Sequence, residues 1–123
     1  MSCLFCEIQR KKNKIIAENE TFIAIFDDMP VNAGHCLIIP KRHVISFFDL
    51  TAKEVKDCYE LTKRVKEYVD KKFSPDAYNI GINEGRVAGR TIDHLHIHLI
   101  PRYAGDVENP TGGVRNVIPG KAD

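Results

Sequence analysis

Apolar and polar positions in this chain mostly change over within a few residues, and only one segment sustains a long helical period. Ile15-Ile16-Ala17 and Phe22-Ile23-Ala24-Ile25-Phe26 are apolar runs of strand length, and the polar Glu18-Asn19-Glu20 between them predicts a hairpin turn. Asp27-Asp28-Met29-Pro30 closes the second run, and residues 31–34 read as a loop. Cys36-Leu37-Ile38-Ile39 is a third run, too continuously apolar for a strand with an exposed face, and Pro40 ends it. Thr51-Ala52-Lys53-Glu54 has the form of a capping box. Val55, Cys58, Tyr59, Thr62, Val65, Val69 and Phe73 then recur at helical spacing, predicting one long core-covering helix whose charged residues form a solvated face. Ser74-Pro75-Asp76 ends it, Ala77 to Ile82 reads as a strand, and Asn83 to Gly89 as a loop. Residues 3–11 start apolar and become polar, enough for one or two turns of helix.

The strictest alternation is His94-Leu95-His96-Ile97-His98-Leu99. A period of two predicts a half-buried strand, with alternate residues on one face about 6.5–7 Å apart. One face would carry three imidazoles and the other aliphatics bound for the core. Pro101 has no N–H to give a ladder, which predicts that the strand stops or reaches its edge there. After Arg102 the pattern dissolves into glycines and prolines, a tail or lid. Strands around one major helix argue an α+β fold, an antiparallel sheet covered by the helix, in a single domain.

Charge and composition narrow the function classes. Eighteen basic and seventeen acidic residues give a net charge of +1, so no global field favours nucleic acid and any anion needs a local site. No apolar run approaches membrane-spanning length, and Met1-Ser2-Cys3-Leu4-Phe5-Cys6 lacks the basic start and apolar core of a signal peptide. A cytoplasmic location is the expectation, and there the four cysteines are metal ligands or free thiols rather than disulfides. Cys3-Leu4-Phe5-Cys6 is half a zinc site by spacing, with free thiols and a redox pair as alternatives.

His94-Leu95-His96-Ile97-His98-Leu99-Ile100 resembles the signature of the histidine triad (HIT) superfamily of nucleotide hydrolases and transferases. Asp27 to Pro30, Gly34-His35 with Leu37-Ile38-Ile39-Pro40-Lys41, Asn83-Glu84-Gly85 and Gly89 extend the resemblance from near the start of the chain to Arg102. It implies a HIT domain over residues 1–103 with residues 104–123 as its tail, a five-stranded antiparallel sheet, one long and one short helix, and a two-fold homodimer. It implies that His96 is a nucleophile forming a nucleotidyl-histidine, that His98 hydrogen-bonds the phosphate and assists the leaving group, and that His35 supports them. Asn83, Gly89, Arg90 and Thr91 resemble phosphate-contacting positions, and Asp27 the ribose-binding one. Arg90 departs from the family pattern, where many members have Gln, and its charge would favour longer polyphosphates. Zinc-containing branches complete the half-site with residues that look like His43 and His94. A structural Zn2+ on Cys3, Cys6, His43 and His94, with no organic cofactor, is therefore implied.

The chemistry fits these roles, because a neutral imidazole attacks phosphorus and the phosphoramidate formed is later cleaved by water. The leading expectation is an enzyme cutting at the α-phosphate of purine nucleotides, with dinucleoside polyphosphates as substrates, no nucleic acid or membrane as partner, and a homodimer. AMP-amine phosphoramidase activity of the Hint type is the alternative within that chemistry. Two others stay open: His94, His96 and His98 as ligands of a catalytic metal, and a non-enzymatic nucleotide- or partner-binding module.

Overall fold

The capping box at Thr51 forms as its spacing predicts, and it starts the longest element of the computed structural model, which describes residues 3–121. The first two residues of the expected domain and the last two of the expected tail lie outside the described residues. Thr51 Oγ1 accepts from the Glu54 N–H and the Glu54 carboxylate accepts from the Thr51 N–H, satisfying two donors that a helix start leaves orphaned. In chain order the elements are α1 (Leu4–Ile8), β1 (Ile15–Glu18), β2 (Phe22–Phe26), β3 (Cys36–Pro40), α2 (Ala52–Phe73), β4 (Ala77–Gly81) and β5 (Ile97–Arg102). Short 3-10 turns occupy Lys12–Lys14, Phe47–Asp49, Arg86–Ala88 and Gly113–Val117. The five strands form one antiparallel sheet in the order β1-β2-β3-β5-β4, as the α+β reading expects.

Both faces of the central strands are covered. Phe22, Ala24, Cys36, Ile38, Ile97 and Leu99 meet Leu61, Val65 and Val69 of α2 on one side. Ile23, Ile25, Leu37 and Ile39 meet Phe5 and Ile8 of α1 on the other. That second face continues across β5 into His98, which pairs with Leu37 in the ladder. Burial on two sides explains the continuously apolar runs of β2 and β3.

Three expectations need correction. The triad strand begins at Ile97, not at His94. His94 to His96 leaves the ladder because the Leu95 N–H donates to the Val44 carbonyl (2.7 Å) and the His94 ring takes the Pro40 carbonyl (2.8 Å). Pro101 does not stop the strand but lies inside it, opposite Tyr78, where β5 has become an edge on its other side as the alternative expectation held. β3 has ended by then, and the Pro101 carbonyl faces Asn32 instead (3.1 Å), so the missing N–H lies on a side with no ladder to break. The helix stripe is also rotated at its start. Val55 and Tyr59 are exposed, Leu61 is fully buried, and Glu54 and Asp57 are buried rather than solvated. Arg42 pairs with Glu54 (2.7 Å), and the Thr21 hydroxyl donates to Asp57 (2.8 Å), so the buried carboxylates have partners.

Candidate active site

A cavity of about 490 Å³ opens on the sheet face opposite α2. Leu4, Phe5 and Ile8 of α1 with Ile25, Leu37 and Ile92 make an apolar wall, and Asp27, Asp28, Met29 and Val31 form one rim. His35, Asn83, Gly89, Thr91, His96 and His98 line the polar end. Apolar walls with a few convergent polar groups are the usual make-up of a small-molecule site, and this volume is in range for one.

Each imidazole is held in a definite tautomer, because a carbonyl only accepts and a backbone N–H only donates. His96 Nδ1–H donates to the His94 carbonyl (2.9 Å), which leaves the lone pair on Nε2. The Phe5 ring meets the His96 ring edge-on, with centroids 5.0 Å apart. His35 is buried within its loop, and the Val31 N–H donates to its Nδ1 (3.2 Å). The proton of His35 therefore sits on Nε2 and points at His98 Nδ1 (3.0 Å). His98 in turn carries its own hydrogen on Nε2, as a donor. Burial pushes His98 down to about 4, and it lowers His35 against the opposing pull of Asp27, whose carboxylate is 3.5 Å from His35 Nε2. Both rings are neutral near pH 7.

The loop that presents His35 depends on Gly34, where φ is +89° and a Cβ would come within 2.9 Å of the Phe73 ring. Asp27 closes the same loop, its N–H donating to the His35 carbonyl and its Oδ1 accepting from the Met29 N–H, both 2.9 Å. Gly89 (φ +109°) lets the loop after β4 pass close to Asn83.

His94 belongs to a different constellation. Its side chain is fully buried, its Nε2–H donates to the Pro40 carbonyl, and its Nδ1 faces Cys3 Sγ (3.3 Å) and Cys6 Sγ (3.6 Å). His43 Nδ1 lies 3.3 Å from Cys6 Sγ, and the four ligand atoms all fall within 4.8 Å of one another. A tetrahedral ion with bonds of about 2.0–2.3 Å holds its ligands roughly 3.3–3.8 Å apart. Two thiols and two imidazoles thus fit a closed zinc site, and the Pro40 contact fixes the tautomer that leaves His94 Nδ1 free to ligate. Three triad imidazoles around one catalytic metal do not fit. His94 turns its free nitrogen to the cysteines, and His96 has only Nε2 available.

Asp27, His35, Asn83, Gly89, Thr91, His96 and His98 are brought together as expected. Arg90 is not among the lining residues. It pairs with Asp93 (3.1 Å), a single carboxylate that Arg86 also holds (2.6 Å), so its guanidinium is engaged by a neighbour in its own loop. The α1 wall was missed by sequence reasoning. Its only signal was Leu4, Phe5 and Ile8 recurring at helical spacing beside the cysteines.

The sheet, the helix and the alternating histidines over a nucleotide-sized cavity define a histidine triad protein. The chain belongs to the HIT family, whose HIT domain profile matches residues 9–105. It is 40% identical to an uncharacterised HIT-like protein of Methanocaldococcus jannaschii, over 94% of this chain and 91% of that one. It is 36% identical to the adenosine 5'-monophosphoramidase of Schizosaccharomyces pombe, over 83% of this chain and 74% of that one. A bis(5'-adenosyl)-triphosphatase of Dictyostelium discoideum is also 36% identical, over 80% and 66%. Among solved structures, a HIT family protein from Bacillus anthracis superposes with a TM-score of 0.79 at 33% identity, covering 85% of this chain and 76% of that one. A Zn-bound histidine triad protein from Mycobacterium smegmatis gives 0.76 at 35%, covering 86% and 78%.

Proposed function

We propose that this protein cleaves purine nucleotides at the α-phosphate through a covalent nucleotidyl-His96 intermediate. The observation that carries this reading is the His96 Nδ1–H bond to the His94 carbonyl, which leaves the opposite nitrogen as a lone pair beside the cavity. His96 Nε2 attacks the α-phosphorus, and the bond from phosphorus to the leaving group breaks. Water then displaces the histidine in the second step. His98 donates from Nε2 to the phosphate and leaving group, held in that tautomer by His35. The base lies on the α1 wall, Asp27 accepts from the ribose hydroxyls, and Asn83, Gly89 and Thr91 meet the phosphate.

Dinucleoside polyphosphates remain the first substrate class, supported by the similarity to a bis(5'-adenosyl)-triphosphatase. The phosphoramidase reading gains from two observations. One is the similarity to a monophosphoramidase; the other is the Arg90–Asp93 pair, which engages the guanidinium expected to grip a longer polyphosphate. Purified protein assayed with diadenosine polyphosphates, AMP-amines and AMP-lysine, with products separated by chromatography, decides between them. Turnover of none of these sends the reading to a non-enzymatic nucleotide-binding module.

The Cys3, Cys6, His43 and His94 set supports a structural zinc, which when bound would lock α1 and the start of the triad segment; zinc absent from protein purified without added metal counts against it. β4 is an edge strand with Ile80 exposed, which supports a two-fold homodimer in which that edge is covered. A monomer by light scattering at micromolar concentration removes the dimer. No helix among the described residues is long and apolar enough to cross a membrane, and a cytoplasmic nucleotide enzyme is the reading proposed.

A further inference from the structure

We infer that the thiol–imidazole cluster and the nucleotide cavity are thermodynamically linked, so that a bound zinc tightens nucleoside monophosphate binding and bound nucleotide tightens the zinc. The inference rests on the readings of the cavity as a nucleotide site and of the cluster as a zinc site.

Two connections join the sites. The first is α1. It has five residues, far short of the length at which a helix holds itself, and Cys3 at its start offers no side-chain cap. Cys3 and Cys6 face the cluster, while Leu4, Phe5 and Ile8 of the same helix form the cavity wall. An ion bonded to both cysteines sets the position of that wall. Without the ion, α1 keeps the burial of Phe5 and Ile8 and the bond from the Gln9 amide to the Lys41 carbonyl (2.7 Å). The helix then stays tethered but loosens locally. The second connection is His94, whose ring belongs to the cluster and whose carbonyl holds His96 Nδ1–H. Phe5 touches both, its ring centroid 6.0 Å from that of His94 and 5.0 Å from that of His96. Ordering the cluster therefore orders both the base wall and the ring at the α-phosphate. Linkage is reciprocal, so the same factor must appear from either side.

The test is calorimetric titration of AMP into zinc-loaded and chelator-stripped protein, with zinc affinity measured by chelator competition with and without saturating AMP. Stripping should weaken AMP binding about 10-fold or more, and AMP should raise zinc affinity by the same factor, within the usual range of such couplings. Phe5→Leu, measured against its own zinc and AMP affinities, should cut the coupling to about 3-fold or less while both ligands still bind. In 15N spectra the His96 Nδ1–H signal should be sharp when zinc is bound and broadened when it is removed. Equal AMP affinity in both states, with zinc and AMP each binding, overturns the linkage and leaves the functional reading standing. No zinc binding overturns the linkage and the metal reading, and no AMP binding overturns the linkage and the cavity reading. Global unfolding of the stripped protein, seen as loss of α2 by circular dichroism, overturns the local coupling argued here.

Discussion

At the scale of single residues, the site works by deciding which nitrogen of each histidine is free. His96 presents Nε2 because a backbone carbonyl occupies Nδ1, and His98 presents Nε2–H because His35 occupies its Nδ1. Replacing His96 with Asn should nearly abolish turnover while leaving AMP binding within a few-fold, since the covalent route has no substitute. Brief incubation with α-labelled substrate and an acid-free quench should leave label on the wild-type chain and none on the variant. Full activity in the variant ends the covalent mechanism. His35 tests the tautomer argument separately. His35→Ala should cost about 10–100-fold in kcat, as loss of an orienting partner typically does. His35→Gln keeps an N–H for His98 Nδ1 and should recover much of it. Equal damage from the two variants would show that His35 only fills space.

At the scale of elements, α2 carries the clearest local rules and one violation of them. Thr51→Ala removes half of the capping box and should cost about 1 kcal/mol by urea denaturation. Ser74, at the far end, adopts φ +51°, the left-handed conformation that costs a side chain about 1–2 kcal/mol relative to glycine's freedom. Ser74→Gly should therefore stabilise, by about 0.5–1 kcal/mol once glycine's greater unfolded freedom is set against the relieved strain. Loss of stability in this variant would mean that the serine side chain holds the helix end in some way the backbone geometry does not reveal. Glu54 belongs to the same element but serves two masters, the Thr51 N–H and the Arg42 guanidinium. The Arg42 hydrogen bond, aided by the cap, holds its carboxyl down at about 2.

The whole molecule shows these local arrangements as a dependence on pH. The Glu54 pKa is lower folded than unfolded, so its contribution is complete above about 4.5 and lost as pH falls towards 2. His98 acts in a higher window. Its folded pKa of about 4 lies below the unfolded 6.5, so between those values the unfolded chain binds more protons and stability rises with pH. Urea denaturation at pH 7, 5.5 and 4.5 should show wild-type stability falling step by step. His98→Gln should make that fall shallower, with buried His35 contributing in the same direction, and an unchanged slope would place the titrating group elsewhere.

The sequence alone determined the elements and the cast of the site. Short-range rules were enough for the capping box and the continuous apolar runs, since each depends on neighbours within a few positions. Residues that line the cavity were also legible, His96 and His98 from their alternation and His35 and Asn83 from the resemblance to the histidine triad pattern. Only the tertiary structure decided orientation and partnership. Cys3 reaches His94 across 91 positions, and nothing local shows that α1 both carries two thiols and walls the cavity. The pairing of Arg90 with Asp93 likewise appears only once the loop folds back. Pro101 sits within a strand because β3 has already ended beside it, and Leu61 replaces Tyr59 in the core because the sheet sets the rotation of α2. In each case the deciding contact is between segments that only folding brings together, where burial and hydrogen-bond satisfaction outweigh local pattern.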